Sequence, residues 1–132
     1  MKCKHVLIVE DNHDIREALE SVIRDDGYSV YSVQNGKEAL RALKMIPGRS
    51  LILLDMMMPV MNGWEFFEEV RVNNTIASLP IVVVSALGAA SALATGDKKL
   101  SAIGYIKKPI VLDGLLETVQ THCEKSLLKD VA

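Results

Sequence analysis

The chain is expected to fold as an α/β sandwich built on a doubly wound parallel sheet. Three observations lead there: five short apolar runs, longer amphipathic or polar stretches alternating strictly with them, and the unbroken, β-branched character of three runs. Unbroken apolar runs mark strands buried on both faces, and strict βα alternation makes the strands parallel with helices on either side.

The runs are Val6 to Val9, Ser29 to Val33, Leu51 to Leu54, Ile81 to Val84 and Ala102 to Ile106. The first, third and fourth are continuously apolar. The second alternates, as an edge strand does, and the fifth is short and carries Gly104, which suits the other edge. Between them, His13 to Asp26 places Ile15, Leu19, Val22 and Ile23 on one helical face, and Gly27 supplies a left-handed stop. Asn35 caps a helix to Ile46, which Pro47-Gly48 ends. Trp64 to Val72 has Trp64, Phe67 and Val70 at helical spacing, and Val111 to Leu128 has Leu112, Leu115, Leu116 and Val119. Leu87 to Leu100 reads as a fourth, weaker helix, rich in Ala, Gly and Ser, with Gly96 inside it.

At 132 residues, residues 1–132 are read as one domain, with a core of about 5–125 and no output domain. Nearly half the residues are apolar, enough for a core without staples. The formal net charge is −2, with acids and bases interspersed, so no electrostatic footprint for nucleic acid is expected. No run is long enough to span a bilayer, no basic amphipathic segment suits a membrane surface, and the N-terminus lacks the form of a signal peptide. The only two cysteines, Cys3 and Cys123, show no CxxC or Cys/His spacing, which favours free thiols in a reducing cytoplasm over a metal site or redox pair.

In such a sheet the site lies at the carboxyl ends of the strands, at the topological switch point. Strand one ends in Glu10-Asp11, strand three in Asp55 and strand four in Ser85-Ala86, while strand five runs into Lys107-Lys108-Pro109. Carboxylates gathered at ~4–5 Å repel by roughly 3–4 kcal/mol per pair at an effective dielectric near 20, so a cation or a proton must join them. Hard oxygen ligands suit Mg²⁺, a lysine adds a charge for a phosphoryl oxygen, and a carboxylate beside both can become an aspartyl phosphate. Each residue alone has a plainer reading. Glu10 and Asp11 could cap the first helix, Asp55 could start a turn, Tyr105 could be a half-buried edge aromatic, and Lys107 is read as solvated. Met56 to Met58 reads as gap-filling core and loop, Trp64, Phe66 and Phe67 as helix packing, and His5, His13 and His122 show no ligand spacing.

Glu10-Asp11, Asp55 followed by Met58-Pro59 and Asn62-Gly63, Ser85-Ala86, and Tyr105 ahead of Lys108-Pro109 closely resemble the response-regulator receiver family, over roughly residues 5 to 125. The resemblance implies the flavodoxin-like sheet, strand order 2-1-3-4-5. It implies a phosphoacceptor switch in a two-component system or phosphorelay, a regulatory phosphoprotein rather than a turnover enzyme. Asp55 would take the phosphoryl group from a sensor histidine kinase or histidine phosphotransfer protein. Mg²⁺, or Mn²⁺, would sit on Asp11, Asp55 and the backbone carbonyl of Met57, with Glu10 acting through metal-bound water. Lys108 and the backbone N–H of Ala86 would hold phosphoryl oxygens, Pro109 would be cis, and Ser85 and Tyr105 would form the switch pair. A target protein would read the face of the fourth helix, fifth strand and fifth helix, and a homodimer is compatible with it. Two features depart from the family pattern: Glu rather than the commoner Asp at position 10, and a long, small-residue segment between Ser85 and Tyr105. Apolar Met57 and Leu87 are expected to flank the site and hinder hydrolytic water.

Three other readings stay open. An aspartate-nucleophile phosphatase would need a general acid two residues after the nucleophile, where Met57 stands. A flavodoxin-like FMN carrier would need a hydroxyl- and glycine-rich loop where Glu10-Asp11 would repel the phosphate, and no P-loop is present. A degenerate receiver acting only as an adaptor would not need the acceptor, metal acid, hydroxyl and lysine that are all present.

Overall fold

The computed structural model describes residues 2–86, 94–95, 98–99 and 102–125. Its elements are β1 (His5–Val9), α1 (His13–Asp25), β2 (Ser29–Val33), α2 (Gly36–Met45), β3 (Ser50–Asp55), α3 (Gly63–Val72), β4 (Ile81–Ser85), β5 (Ala94–Thr95), β6 (Lys98–Lys99), β7 (Gly104–Lys107) and α4 (Leu112–His122). The main sheet runs β2-β1-β3-β4-β7, all parallel. With the short β5/β6 pair set aside, this is the expected order 2-1-3-4-5.

The strand sequences explain the two-sided core. Along β1, Val6 and Ile8 face one side while Leu7 and Val9 face the other; β3 and β4 divide in the same way. Leu7, Val9, Ile52, Leu54, Ile81 and Val83 pack with Ala39 of α2 and Phe66, Phe67 and Val70 of α3. Val6, Ile8, Leu51, Leu53, Val82 and Val84 pack with Leu19 and Ile23 of α1 and Leu115 and Val119 of α4. Phe66 is fully buried, so the inward stripe of α3 is Gly63, Phe66, Phe67 and Val70. That stripe lies one step round from the face expected through Trp64.

The helix ends follow their sequence signals. Asn12, Asn35 and Asn62 accept the N–H groups of Ile15, Glu38 and Glu65 at 3.0, 2.9 and 2.9 Å. Asn62 and Glu65 complete a capping box. Gly27 stops α1 at φ +101°, where a side chain would be strained.

Two expectations are corrected. The segment read as a fourth helix contains an antiparallel strand pair, with Ala94 opposite Lys99 and Thr95 opposite Lys98; its other residues lie outside those described. Its alanines favour helix, but strand pairing at Ala94-Thr95 and Lys98-Lys99 overrides that local preference. The last helix ends at His122 rather than Leu128. There the backbone turns to strand pairing: Cys3 N–H donates to the His122 carbonyl at 2.7 Å and Glu124 N–H to the Cys3 carbonyl at 3.0 Å, with Cys3 and Cys123 paired in parallel. Residues 126–132 lie outside the described part. No helix among the described residues is long and apolar enough to cross a membrane.

Candidate functional site

The sheet reverses direction of growth between β1 and β3, and the carboxyl ends of these neighbours carry the acids. Glu10 and Asp11 follow β1, and Asp55 is the last residue of β3. One carboxylate oxygen from each of the three lies within 4.8 Å of the others. Glu10 and Asp55 are buried, whereas Asp11 is exposed at the rim. Asn12, not either acid, caps α1, so the capping role once open to Glu10 and Asp11 is filled by the next residue. Glu10 Oε2 accepts the Asn12 N–H at 3.2 Å, which ties the acidic turn to the helix start.

Lys108 closes the cluster from the opposite side. Its Nζ lies 2.8 Å from Glu10 Oε1 and 3.6 Å from Asp55 Oδ2. A carboxylate as buried as Glu10 needs such a partner, since an unpaired buried charge costs several kcal/mol. The Lys108–Pro109 peptide is cis, as expected. Burial pulls the Lys108 ammonium down, but its hydrogen bond with Glu10 and the charges of Asp55 and Glu10 outweigh this and hold it above its ordinary value.

Asp55 is the most perturbed acid. Burial first, then a hydrogen bond with Glu10 and that residue's charge, push its carboxyl up to about 7, against the opposing pull of the Met57 N–H and Lys108. Two carboxylates this close repel unless a proton or a cation joins them. The donor set fits a small hard divalent cation on chemistry alone: clustered carboxylate oxygens from two buried acids and one exposed acid, with a single lysine against them.

Ser85 connects the remaining parts. Its backbone carbonyl accepts both the Lys108 N–H at 2.9 Å and the Tyr105 hydroxyl at 3.3 Å. Its side chain is fully buried at the end of β4, opposite Lys107 on β7. Ala86 follows it at the surface. Met57 N–H donates to Asp55 Oδ1 at 3.1 Å, while the Met57 side chain is 60% exposed. Met56 and Met58 on either side are buried, as gap-filling residues would be. Leu87 lies outside the described residues. The loop beyond Asp55 folds back tightly: Gly63 N–H donates to the Met56 carbonyl at 3.1 Å, and a Cβ on Gly63 would lie 2.7 Å from the Met56 Cα. Only glycine permits that approach.

Glu10, Asp11, Asp55 and Lys108 thus meet at this rim, with Met57, Ser85 and Ala86 next to them, while Tyr105 lies within β7 and reaches Ser85 through its hydroxyl. The Arg16 clasp was not among the sequence expectations: its guanidinium donates to the Glu10 carbonyl at 3.0 Å and the Asp11 carbonyl at 3.5 Å. An arginine on the first turn of a helix carries no spacing signal for such a contact. Beside Lys108, an apolar groove of about 390 Å³ opens between α1 and the start of α4, lined chiefly by Ile15, Ala18, Val22, Pro109, Ile110 and Leu112.

Comparison with known proteins agrees with this geometry. The family model for the response regulator receiver domain matches residues 6–120. The chain therefore belongs to the response regulator receiver domain family of two-component systems, whose members are regulatory switches. Among curated relatives, the transcriptional regulatory protein CrdR of Helicobacter pylori is 33% identical over 112 residues, covering 85% of this chain and 51% of that protein. The uncharacterized transcriptional regulatory protein YkoG of Bacillus subtilis is 33% identical over 120 residues, covering 91% and 51%. The chain spans about half the length of these relatives. Among solved structures, the chemotaxis protein CheY4 of Vibrio cholerae superposes with a TM-score of 0.74 at 30% identity, covering 89% of this chain and 97% of that one. A putative response regulator from Chloroflexus aurantiacus gives 0.78 at 30% identity, covering 91% and 97%.

Proposed function

We propose that this receiver is a phosphoacceptor in which Asp55 takes a phosphoryl group from a phosphohistidine on a sensor kinase or phosphotransfer protein. One observation carries the reading: three carboxylates within 4.8 Å at the switch point, with Lys108 in contact with two of them. Asp11, Asp55 and the backbone carbonyl of Met57 would hold Mg²⁺ or Mn²⁺, with Glu10 reached through water. The cation supplies charge neutralisation for the phosphoryl oxygens.

The chain's own residues do the rest. An Asp55 carboxylate oxygen forms the new O–P bond in line as the donor's N–P bond breaks, and the leaving imidazole nitrogen takes a proton. Asp55 must be ionised to attack, and the cation together with Lys108 would favour that form. Lys108 is free to turn from Glu10 to a phosphoryl oxygen, because its backbone is anchored separately on Ser85. The Ala86 N–H and the Ser85 hydroxyl complete the oxygen contacts. Ser85 is already tied to Tyr105 and Lys108 through its carbonyl, so reorientation at residue 85 is felt on β7. A target protein would read the exposed face of β7 and α4. The donor would approach along the apolar groove beside Lys108.

The test is intact mass after incubation with a small-molecule phosphodonor and Mg²⁺. Wild type gains one phosphoryl group and Asp55→Asn gains none. Labelling of neither would favour a phosphorylation-independent adaptor, and sustained turnover of phosphate esters would favour a phosphatase.

A further inference from the structure

The two cysteines, 120 positions apart in sequence, meet in the fold. Cys3 precedes β1 and Cys123 follows α4, and they face each other across an isolated parallel bridge. Both are buried, at 1% and 2% exposure. Both lie in the same buried cluster on the α1 and α4 side of the sheet, and the Cys123 thiol donates to the His5 carbonyl at 3.8 Å. Neighbouring strands lie about 4.8 Å apart, which falls inside the Cα separation of about 4.4–6.8 Å that a disulfide spans. The flanking contacts hold the two segments in register: Lys4 pairs with Glu124, and Lys2 Nζ donates to the Gln120 carbonyl at 3.2 Å.

We propose that Cys3 and Cys123 form a reversible disulfide clasp that ties the lead-in to β1 to the end of α4. The site is remote in kind from the acidic rim, and the proposal does not depend on the phosphoryl chemistry. The oxidant is a low-molecular-weight disulfide. A Cys3 thiolate attacks it, forming a mixed disulfide and expelling one thiolate. The Cys123 thiolate then attacks the Cys3 sulfur, forming the intramolecular S–S bond and expelling the second. Two protein S–H bonds are lost, one S–S bond is gained, and the oxidant leaves as two thiols carrying the electrons and protons.

Both thiols are slow to ionise. Burial, then the neighbouring Cys3, push Cys123 up to about 12. Burial raises Cys3 as well, opposed by the charge of Arg49. Cys3 is therefore the entry point, and access requires opening of an isolated bridge, a low-stability event compared with unfolding the sheet. Ring closure over most of the chain then restricts the unfolded state strongly.

The experiment treats the native protein with oxidised glutathione at pH 7 and 8.5, then alkylates it and measures intact mass and melting temperature. The expected product is a monomer about 2 Da lighter with no alkylatable thiol, formed faster at the higher pH. It should melt about 5–15 °C above the reduced form. Dithiothreitol restores the lower value, and Cys3→Ser abolishes the mass loss. Comparing oxidised with reduced wild type needs no variant to fold. A native protein that keeps both thiols, or ends as glutathione adducts or linked dimers, overturns the proposal. So does an oxidised monomer that melts no higher than the reduced one.

Discussion

Replacing Asp55 by asparagine should stabilise the fold in metal-free buffer, by an amount that grows with pH. The folded carboxyl keeps its proton up to about 7, whereas its ordinary value is 3.8. Between those values the folded state binds more protons than the unfolded state, so stability falls as pH rises through that window and levels off above it. A shift of about three units corresponds to roughly 4 kcal/mol at full strength. Solvent reaching the pocket past exposed Asp11 reduces this, leaving on the order of 2–3 kcal/mol. Asparagine carries no titrating proton, so the stability difference between variant and wild type should widen by that amount from pH 4.5 to pH 8. Lys108, held above its ordinary 10.5, does not titrate in this range. Urea unfolding at several pH values in chelator measures the difference directly. Saturating Mg²⁺ should stabilise wild type more than the variant and so narrow the gap. Parallel pH profiles for the two proteins, or a variant less stable at pH 8, would refute the reasoning.

Three further outcomes follow from named contacts. Lys108→Met strips buried Glu10 of its cation and should cost about 2–4 kcal/mol in metal-free urea unfolding at pH 8; a change below about 0.5 kcal/mol would mean the pair is solvated. Val60 holds φ +69° in the loop between β3 and α3, and it is a β-branched residue 70% exposed. Val60→Gly should therefore stabilise by about 1 kcal/mol, a rise in melting temperature of roughly 3–5 °C. If phospho-Asp55 forms, exposed Met57 beside it screens the acyl phosphate. Met57→Asn should shorten its lifetime by about 3- to 10-fold, a barrier change of about 0.7–1.4 kcal/mol, followed as loss of the phosphorylated mass with time.

How much of this could be read from residues depends on how local the cause is. The β1, β3 and β4 runs declare themselves because burial on both faces leaves no polar position. Asn35 and Gly27 mark their helix ends because capping and positive φ are single-residue requirements. The rim was legible because strand ends follow from strand positions, and parallel topology then brings Glu10, Asp11, Asp55, Ser85 and Lys108 together. What was not legible depends on tertiary contact. Ala94-Thr95 and Lys98-Lys99 lie in a stretch that reads as helix from its alanines, yet they pair as strands. The last helix stops at His122 because Cys3 offers backbone partners that only the folded chain supplies. The meeting of Cys3 with Cys123 has no spacing signature at all, and neither does the Arg16 hold on the Glu10 and Asp11 carbonyls.

The most direct test of the acceptor assignment is a crystal structure of the protein with Mg²⁺ and beryllofluoride, which mimics a phosphoryl group on a carboxylate. The fluoroberyllate is expected on Asp55, the metal on Asp11, Asp55 and the Met57 carbonyl, and Lys108 Nζ moved from Glu10 to a fluorine. An unmodified Asp55, or a metal held without Asp11 and Asp55, would contradict it.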